Sequence, residues 1–393
     1  MNDRGVVGAV SHLLHAHFLW FLLGSYIAAA LWPDFGWWIR DVCLGEVGFS
    51  GEKSRVTLPV LMLALLLINA GLGVHASPLR SFFGSIPLFG AGMLVNLVIP
   101  IAFIFGVSQV MRAWHEPDEV QDILVGLALV ASMPIAGSST AWSQNNNGSM
   151  ALSLGLLLLS TLLSPITTPL ALHSVGLMAD GDYATALHEL AAQGTGLFLA
   201  ACVVLPAFLG ILGRTILGGS RIDGAMPQLK LANAVNLLLL NYSNGSVTLP
   251  QVLALPDWDF LAVTLGFSLA LCLLAFATGW WLARLFGAEW AERISMMFGL
   301  GMSNNGTGLV LASVALSHLP QVMLPIIFYN VVQHLMAGAA ATLLNRRAGA
   351  QDAEADLQPW HLPTSQAFPL RSFYRSLRTA LHSLRRNGMR GAR

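Results

Sequence analysis

The sequence predicts an all-α membrane protein, with about ten transmembrane helices arranged as two inverted five-helix repeats. This prediction rests on the composition, on the number of long apolar runs and on two pairs of similar polar motifs. The 393 residues are 55% hydrophobic and 10% charged, with a mean hydropathy of +0.65, whereas a soluble domain carries about 25% charged residues. This composition indicates a chain embedded in a lipid bilayer.

Long apolar runs give the number of helices, because a helix that crosses the membrane needs about 20 mainly apolar residues. The chain contains ten such runs, at 14–32, 56–74, 82–107, 121–142, 149–173, 195–217, 228–247, 259–284, 293–317 and 319–344. Ser, Asn and Gly interrupt the fourth, seventh and ninth runs, which makes these weaker candidates. Counting all ten is therefore a choice, and eight is the conservative number.

Basic residues orient the chain in the membrane. The segment from Arg346 onward holds nine Arg and no Lys, and the positive-inside rule therefore places it in the cytoplasm. With ten spans, both termini are cytoplasmic, in a plasma membrane or a bacterial inner membrane. The expected organisation is an N-terminal segment 1–13, a first repeat 14–173, a second repeat 195–344 and a basic tail 345–393. Within this tail, 369–386 has the pattern of an amphipathic helix on anionic lipid, and lack of structure is the alternative.

Two pairs of motifs indicate an internal repeat. The segments LLINAGLGV (66–74) and LLLNYSNGSV (238–247) share Leu-Leu-x-Asn followed by Gly four residues after the Asn. The polar stretches SSTAWSQNNNGS (138–149) and GMSNNGTG (301–308) follow in the same order. Two halves of five spans each explain both matches, and an odd number of spans makes the second half inverted. Inverted repeats with interrupted helices at a site near the membrane midplane are typical of secondary transporters.

The polar stretches also indicate where a site lies. In hydrocarbon every backbone N–H and C=O must be paired, so unwound polar segments are tolerated where they are buried in protein or line a cavity. We therefore expect interruptions near 137–141 and 303–307, although residues 145–148 could equally be a turn between two spans. Asn69 and Asn241 could each bind a ligand, or could instead cap a helix or form a hydrogen bond to a neighbouring helix. The candidate substrate-binding residues are Asn69, Asn241, Asn304, Asn305, Asn330 and His334.

At these positions the chain resembles the bile acid:sodium symporter family. The segment GSMALSLGLLLLSTLLSPITTP (148–169) is similar to the family's Gly-Asp-x-Ala-Leu-Ser…Ser-Thr-Leu-Leu-x-Pro-x-x-Thr-Pro pattern. NAGLGVHASPLRSF (69–82) resembles the segment after its second span, and GMSNNGTGLVLA (301–312) resembles its ninth span. Asn330 corresponds to an Asn of its tenth span. The resemblance implies ten spans in two inverted halves, with unwound helices four and nine that cross each other.

The resemblance also implies two sodium sites. The first falls on Ser139, Thr140 and Ser153. The second falls on Gly299 and Ser303, where the family has Glu and Gln, and Asn96 lies near the family's span-three Gln. Because Gly299 cannot supply a carboxylate, we expect at most one bound Na⁺.

The expected function is secondary transport of an organic anion or small carboxylate, coupled to Na⁺ and not enzymatic. A proton-coupled or uncoupled carrier of the same fold is the alternative. His334 would carry the proton, unless it is a neutral His bonded to a neighbouring helix. A membrane-embedded sensor or enzyme is a third class, but the sequence holds no clustered acid, base or nucleophile. The expected partners are the substrate anion and the lipid bilayer, without nucleic acid; the sequence does not determine the oligomeric state.

Overall fold

The computed structural model describes residue 14 and residues 17–49, 52–74, 86–192 and 195–356. The chain divides into two units, Met1–Leu343 and Leu344–Arg393. The described part of the second unit, which ends at Asp356, is helical. The predicted N-terminal segment 1–13 and amphipathic segment 369–386 lie outside the described residues.

The first half of the chain is mainly helical, with one small sheet near its start. Its elements are α1 (Phe18–Leu31), α2 (Asp34–Asp41), β1 (Cys43–Phe49), β2 (Glu52–Thr57), α3 (Leu58–Leu72), α4 (Ile86–Val110), a 3₁₀ turn (Met111–Ala113), α5 (Pro117–Ser132), α6 (Ser138–Asn145), α7 (Met150–Gly176) and α8 (Gly181–Ala192).

The regular elements described in the second half are all helical. Its elements are α9 (Thr195–Leu199), a π-helical turn (Ala200–Val204), α10 (Leu205–Leu217), α11 (Gly219–Ala254), α12 (Trp258–Leu285), α13 (Trp290–Gly301), α14 (Asn305–Ala315), a 3₁₀ turn (Pro320–Val322) and α15 (Met323–Asp356).

Each of the ten predicted apolar runs coincides with one helix or with consecutive helices. Five helical segments of the described chain are long and apolar enough to cross a membrane, and α1 with α2 would make a sixth. The five are Ile86–Ala113, Met150–Gly176, Thr195–Leu217, Trp258–Leu285 and Pro320–Asn345. The predominantly helical membrane fold is thus confirmed, whereas ten spans and the inverted repeat stay predictions.

The all-α prediction missed a β-hairpin. Strands β1 and β2 pair antiparallel, from Cys43 opposite Thr57 to Phe49 opposite Glu52. The hairpin falls between the first and second apolar runs, in a stretch whose mixed polar and Gly-containing sequence suggested only a loop. Helix α11 also exceeds its predicted run of 228–247, because the polar residues on either side continue the helix to Gly219 and Ala254.

The helices pack in two groups, and α14 contacts members of both. Helix α11 packs against α1, α2 and α3, and α3 packs against α10. A Cβ at Gly71 of α3 would overlap the carbonyl oxygen of Ala207, so glycine permits this close approach. In the other group, α12 packs against α13 and α4, while α4 and α5 pack against α7. Helix α14 contacts α3 and α11 of the first group and α5 of the second.

Candidate functional site

Two non-helical intervals lie side by side in the described structure. Residues 133–137 separate α5 from α6, and residues 302–304 separate α13 from α14. Ile135 and Ser303 form an antiparallel bridge. The Ala136 N–H donates to the Met302 carbonyl at 2.9 Å, and the Asn304 N–H donates to the Pro134 carbonyl at 2.8 Å. The two intervals therefore satisfy part of each other's backbone, as an apolar environment demands.

The sequence explains where the first interval begins. Helix α5 ends at Ser132, and Met133 is extended with ψ of 148°, which is the conformation favoured for a residue that precedes proline. The interval 133–137 thus starts four residues before the predicted interruption at 137–141. The prediction was based on polar side chains such as those of Ser138 and Ser139, but these residues belong to the first turn of α6. The second interval, 302–304, overlaps the expected range of 303–307.

Helices α6 and α14 begin directly after the paired intervals. The side chain of Asn304 caps α14 by accepting a hydrogen bond from the Thr307 N–H at 3.3 Å. The start of a helix carries unpaired N–H groups and a partial positive charge. Helices α6 and α14 therefore bring such positive ends to neighbouring points, an arrangement that favours a bound anion.

The residues of the first predicted ion site supply uncommitted oxygen atoms. Ser139 on α6 and Ser153 on α7 are fully buried, and neither hydroxyl has a hydrogen-bond partner. The Thr140 hydroxyl donates to the Gly137 carbonyl at 2.7 Å, which leaves its lone pairs available. Helices α6 and α7 pack directly against each other. Buried hydroxyls without partners are costly, and neutral oxygens are suitable ligands for a hard cation such as Na⁺.

The residues of the second predicted ion site lie in a more apolar setting. A Cβ at Gly299 would have Leu156 Cδ1 as its nearest neighbour, at 3.0 Å. Asn96 lies in a small cleft with Leu271, Thr278 and Leu300. Ser303 uses its N–H to donate to Gln333 Oε1 at 3.0 Å. Within the described residues, no three His, Cys, Asp or Glu side chains form a cluster that could hold a metal.

A buried hydrogen-bond network connects the interval before α14 to helices α1 and α11. Asn330 Nδ2 on α15 donates to Tyr26 Oη at 2.9 Å and to Asn241 Oδ1 at 3.1 Å. Tyr26 Oη donates to the same Asn241 oxygen at 3.1 Å. Gln333 Nε2 donates to Asn330 Oδ1 at 3.2 Å, and Gln333 Oε1 accepts the Ser303 N–H. The predicted residues Asn241, Asn330 and Ser303 are thus joined.

Tyr26 and Gln333 complete this network but were not among the predicted site residues. Gln333 shares a helical face with Asn330, so its position could have been found from spacing alone. Tyr26 gives no comparable signal, because it is a single tyrosine in an apolar run and its partners lie 215 and 304 residues away.

The other predicted asparagines have different surroundings. Asn69 Nδ2 donates to the Leu229 carbonyl at 2.8 Å and so connects α3 to α11. Asn305 is 1% exposed, and neither atom of its amide has a hydrogen-bond partner. The buried Thr307 hydroxyl and Asn241 Nδ2 also lack partners. Asn305 and Asn241 therefore keep unused hydrogen-bonding capacity, whereas the Asn69 amide nitrogen already contributes to helix packing.

His334 takes no part in the hydrogen bonds of the network. Its ring contacts Phe18 edge-on, with ring centroids 5.3 Å apart. In the described part of the chain, no group forms a hydrogen bond with this imidazole. Its predicted role as a proton carrier stays a prediction.

A family model and two proteins of one bacterium are similar to this chain. Residues 60–251, just under half of the chain, match the model of the Sodium Bile acid symporter family. The uncharacterized protein YbaS of Bacillus subtilis (strain 168) is 27% identical over 225 residues, which cover 57% of this chain and 69% of YbaS. The uncharacterized sodium-dependent transporter YocS of the same organism is 22% identical over 324 residues, covering 81% of this chain and 93% of YocS.

The family match and the long apolar helices show that this chain is a multi-pass membrane protein. The resemblance inferred from the sequence motifs is confirmed, and the chain is related to the Sodium Bile acid symporter family.

Proposed function

We propose that the protein is a secondary transporter that moves an organic anion or small carboxylate by alternating access. The observation that carries this proposal is the pairing of intervals 133–137 and 302–304, with a helix starting after each. The family match and the name of the YocS relative support transport as the general activity.

The proposed architecture has ten spans in two inverted halves, 14–173 and 195–344, with both termini in the cytoplasm. Helices α5 and α6 would form the fourth span, and α13 and α14 would form the ninth. The grouping of α1, α3, α10 and α11 supports one moving part, and the packing of α4, α5, α7, α12 and α13 supports a second. Alternating access would then be a movement of one group against the other.

The proposed coupling ion is Na⁺, bound by the hydroxyls of Ser139, Thr140 and Ser153. The two unpartnered hydroxyls among them support this assignment. Asn96 and Ser303 would form at most a weak second site, because Gly299 supplies no carboxylate. A proton-coupled cycle through His334 is the second candidate, and the absence of that carboxylate is the observation that favours it.

The proposed substrate-binding residues are Asn241, Asn304, Asn305 and Asn330, at the start of α14 and on α11 and α15, together with Asn69 on α3 and His334 on α15. Buried amide atoms of Asn241 and Asn305 without partners support this placement. An anion could accept hydrogen bonds from these amides, and the partial positive charge at the start of a helix would attract it.

Uptake into proteoliposomes tests the proposal. The purified protein would be given labelled cholate (below its micellar concentration) or pyruvate, with an imposed Na⁺ gradient, an imposed proton gradient or neither. We expect the Na⁺ gradient to accelerate uptake of at least one acid, and the double variant Ser139→Ala/Ser153→Ala to lose this acceleration. Uptake driven only by the proton gradient would favour the second candidate. No protein-dependent uptake under any condition would contradict transport of these acids.

A further inference from the structure

Arg40 is a cationic residue between the first two apolar runs of the chain. It lies on α2, which is bent by 93° from α1. The Trp37 indole N–H donates to the Ser246 carbonyl at 2.8 Å, and Gly36 packs against the Ser246 side chain. These contacts hold α2, and with it Arg40, against α11.

The Arg40 guanidinium connects α11 to α14. Nη1 donates to Asn244 Oδ1 at 3.3 Å, and Nη2 donates to the Ser313 carbonyl at 3.1 Å. Among the residues that the structure describes, no carboxylate forms an ion pair with Arg40. A guanidinium has five N–H donors, and these two bonds use two of them. Within the described residues this half-buried cation therefore has no hydrogen-bonded counter-ion, and the neighbouring Asp41 carboxylate attracts it only through space.

Asn244 adds a further unused donor beside the guanidinium. Asn244 is fully buried, and its Nδ2 has no hydrogen-bond partner. Because the Oδ1 of the same amide accepts from Arg40, the free Nδ2 must lie within a few ångströms of the guanidinium. Asn241, three residues earlier on α11, also has a buried Nδ2 without a partner. A buried polar group without a partner requires an explanation such as an absent ligand.

We propose that Arg40, together with the amides of Asn244 and Asn241, binds the carboxylate of the transported anion. A guanidinium pairs with a carboxylate through two parallel charge-assisted hydrogen bonds, and the free amide donors would satisfy its remaining lone pairs. Arg40 also contacts α14 through Ser313, so the same residue connects the bound anion to the helix that follows interval 302–304. This inference rests on the proposed function and names the residue that makes the site selective for anions.

The test is ligand-induced stabilisation of the full-length protein in detergent micelles. Cholate and pyruvate would be compared with their neutral methyl esters, by the shift of the thermal unfolding midpoint over a range of concentrations. We expect at least one acid to stabilise the unmodified protein and its ester not to do so. Arg40→Gln should weaken apparent acid binding at least tenfold. Arg40→Lys should be intermediate, since it keeps the charge but loses the two-bond geometry.

Two further variants separate ligand binding from folding. Asn244→Asp places a carboxylate beside Arg40, so it should preserve or raise the midpoint without ligand and abolish stabilisation by the acid. Arg112→Gln removes an exposed arginine and should leave acid binding unchanged. If Arg40 only caps the end of α14, Arg40→Gln would lower the midpoint without ligand but leave the acid affinity unchanged, and the proposal would be wrong. Equal effects of acid and ester, or no stabilisation by either acid, would also overturn it.

The outcomes also distinguish this proposal from the proposed function. Arg40-dependent binding without uptake in proteoliposomes would support the anion site and contradict transport. Gradient-driven uptake with the same KM in the unmodified protein and in Arg40→Gln would support transport and contradict the anion site.

Discussion

Replacing Asn330 by alanine tests the buried network in which it takes part. The substitution removes two interhelical hydrogen bonds, to Tyr26 and Asn241, and the acceptor of Gln333 Nε2. Interhelical hydrogen bonds in membrane proteins contribute about 0.6 kcal/mol each, and a buried donor left unpaired costs about 1–3 kcal/mol. We therefore expect Asn330→Ala to lower the free energy of unfolding by about 2–4 kcal/mol.

Tyr26→Phe should cost less, because Asn330 Nδ2 still has Asn241 Oδ1 as its acceptor. Loss of the Tyr26 hydroxyl should lower the free energy of unfolding by about 1 kcal/mol. The double variant should be less destabilised than the sum of the two single variants, since the Tyr26–Asn330 bond is counted in both.

The assay is reversible unfolding in mixed micelles with increasing dodecyl sulfate, followed by tryptophan fluorescence. Thr342→Ala is the control on the same helix, because that exposed hydroxyl bonds only to the Gly338 carbonyl one turn earlier. Its effect should stay within about 0.5 kcal/mol. An Asn330→Ala variant no less stable than this control, or strictly additive effects of the two network substitutions, would refute the reasoning.

Three further predictions concern packing, the ion and the tail. Gly71→Ala should destabilise the protein by about 1–3 kcal/mol in the same assay, since the new Cβ meets the Ala207 carbonyl. The control is Gly90→Ala, whose Cβ would have no atom within 4 Å, and equal effects of the two substitutions would contradict the close contact. Gly299→Glu should raise the Na⁺ affinity in uptake assays by about tenfold or more, because a carboxylate near a cation contributes several kcal/mol at low dielectric. An unchanged Na⁺ affinity would exclude an ion at this position. Deleting 351–393 should leave uptake intact, and the isolated tail peptide should bind anionic vesicles more strongly than neutral ones; equal binding would contradict the amphipathic interpretation.

The position of the helices could be predicted well from the sequence, because burial in lipid demands long apolar runs and these are visible locally. The predicted start of the first interval was four residues too late. The prediction relied on the polar side chains near Ser138, whereas Pro134 determines where the preceding helix ends. The hairpin from Cys43 to Thr57 was missed, because it lies between apolar runs and its pairing is not apparent in the composition.

The candidate site could be predicted only in part. Asn241 was selected as an amide in an apolar run, whereas Asn330 and Ser303 were selected through the resemblance to the family. Tyr26 and Arg40 were not recognised, since their roles depend on partners more than 200 residues away along the chain. Which buried amides remain unpaired, as at Asn244, depends on side-chain packing that local sequence patterns do not report.

The Na⁺ dependence of uptake tests the central claim most directly, namely that an anion is transported with a cation bound beside the paired intervals. Initial rates of acid uptake into proteoliposomes would be measured over a range of external Na⁺ concentrations. We predict saturable activation with a Hill coefficient near one, which is lost in Ser139→Ala/Ser153→Ala. A Hill coefficient near two, or uptake that is indifferent to the Na⁺ gradient, would contradict the account.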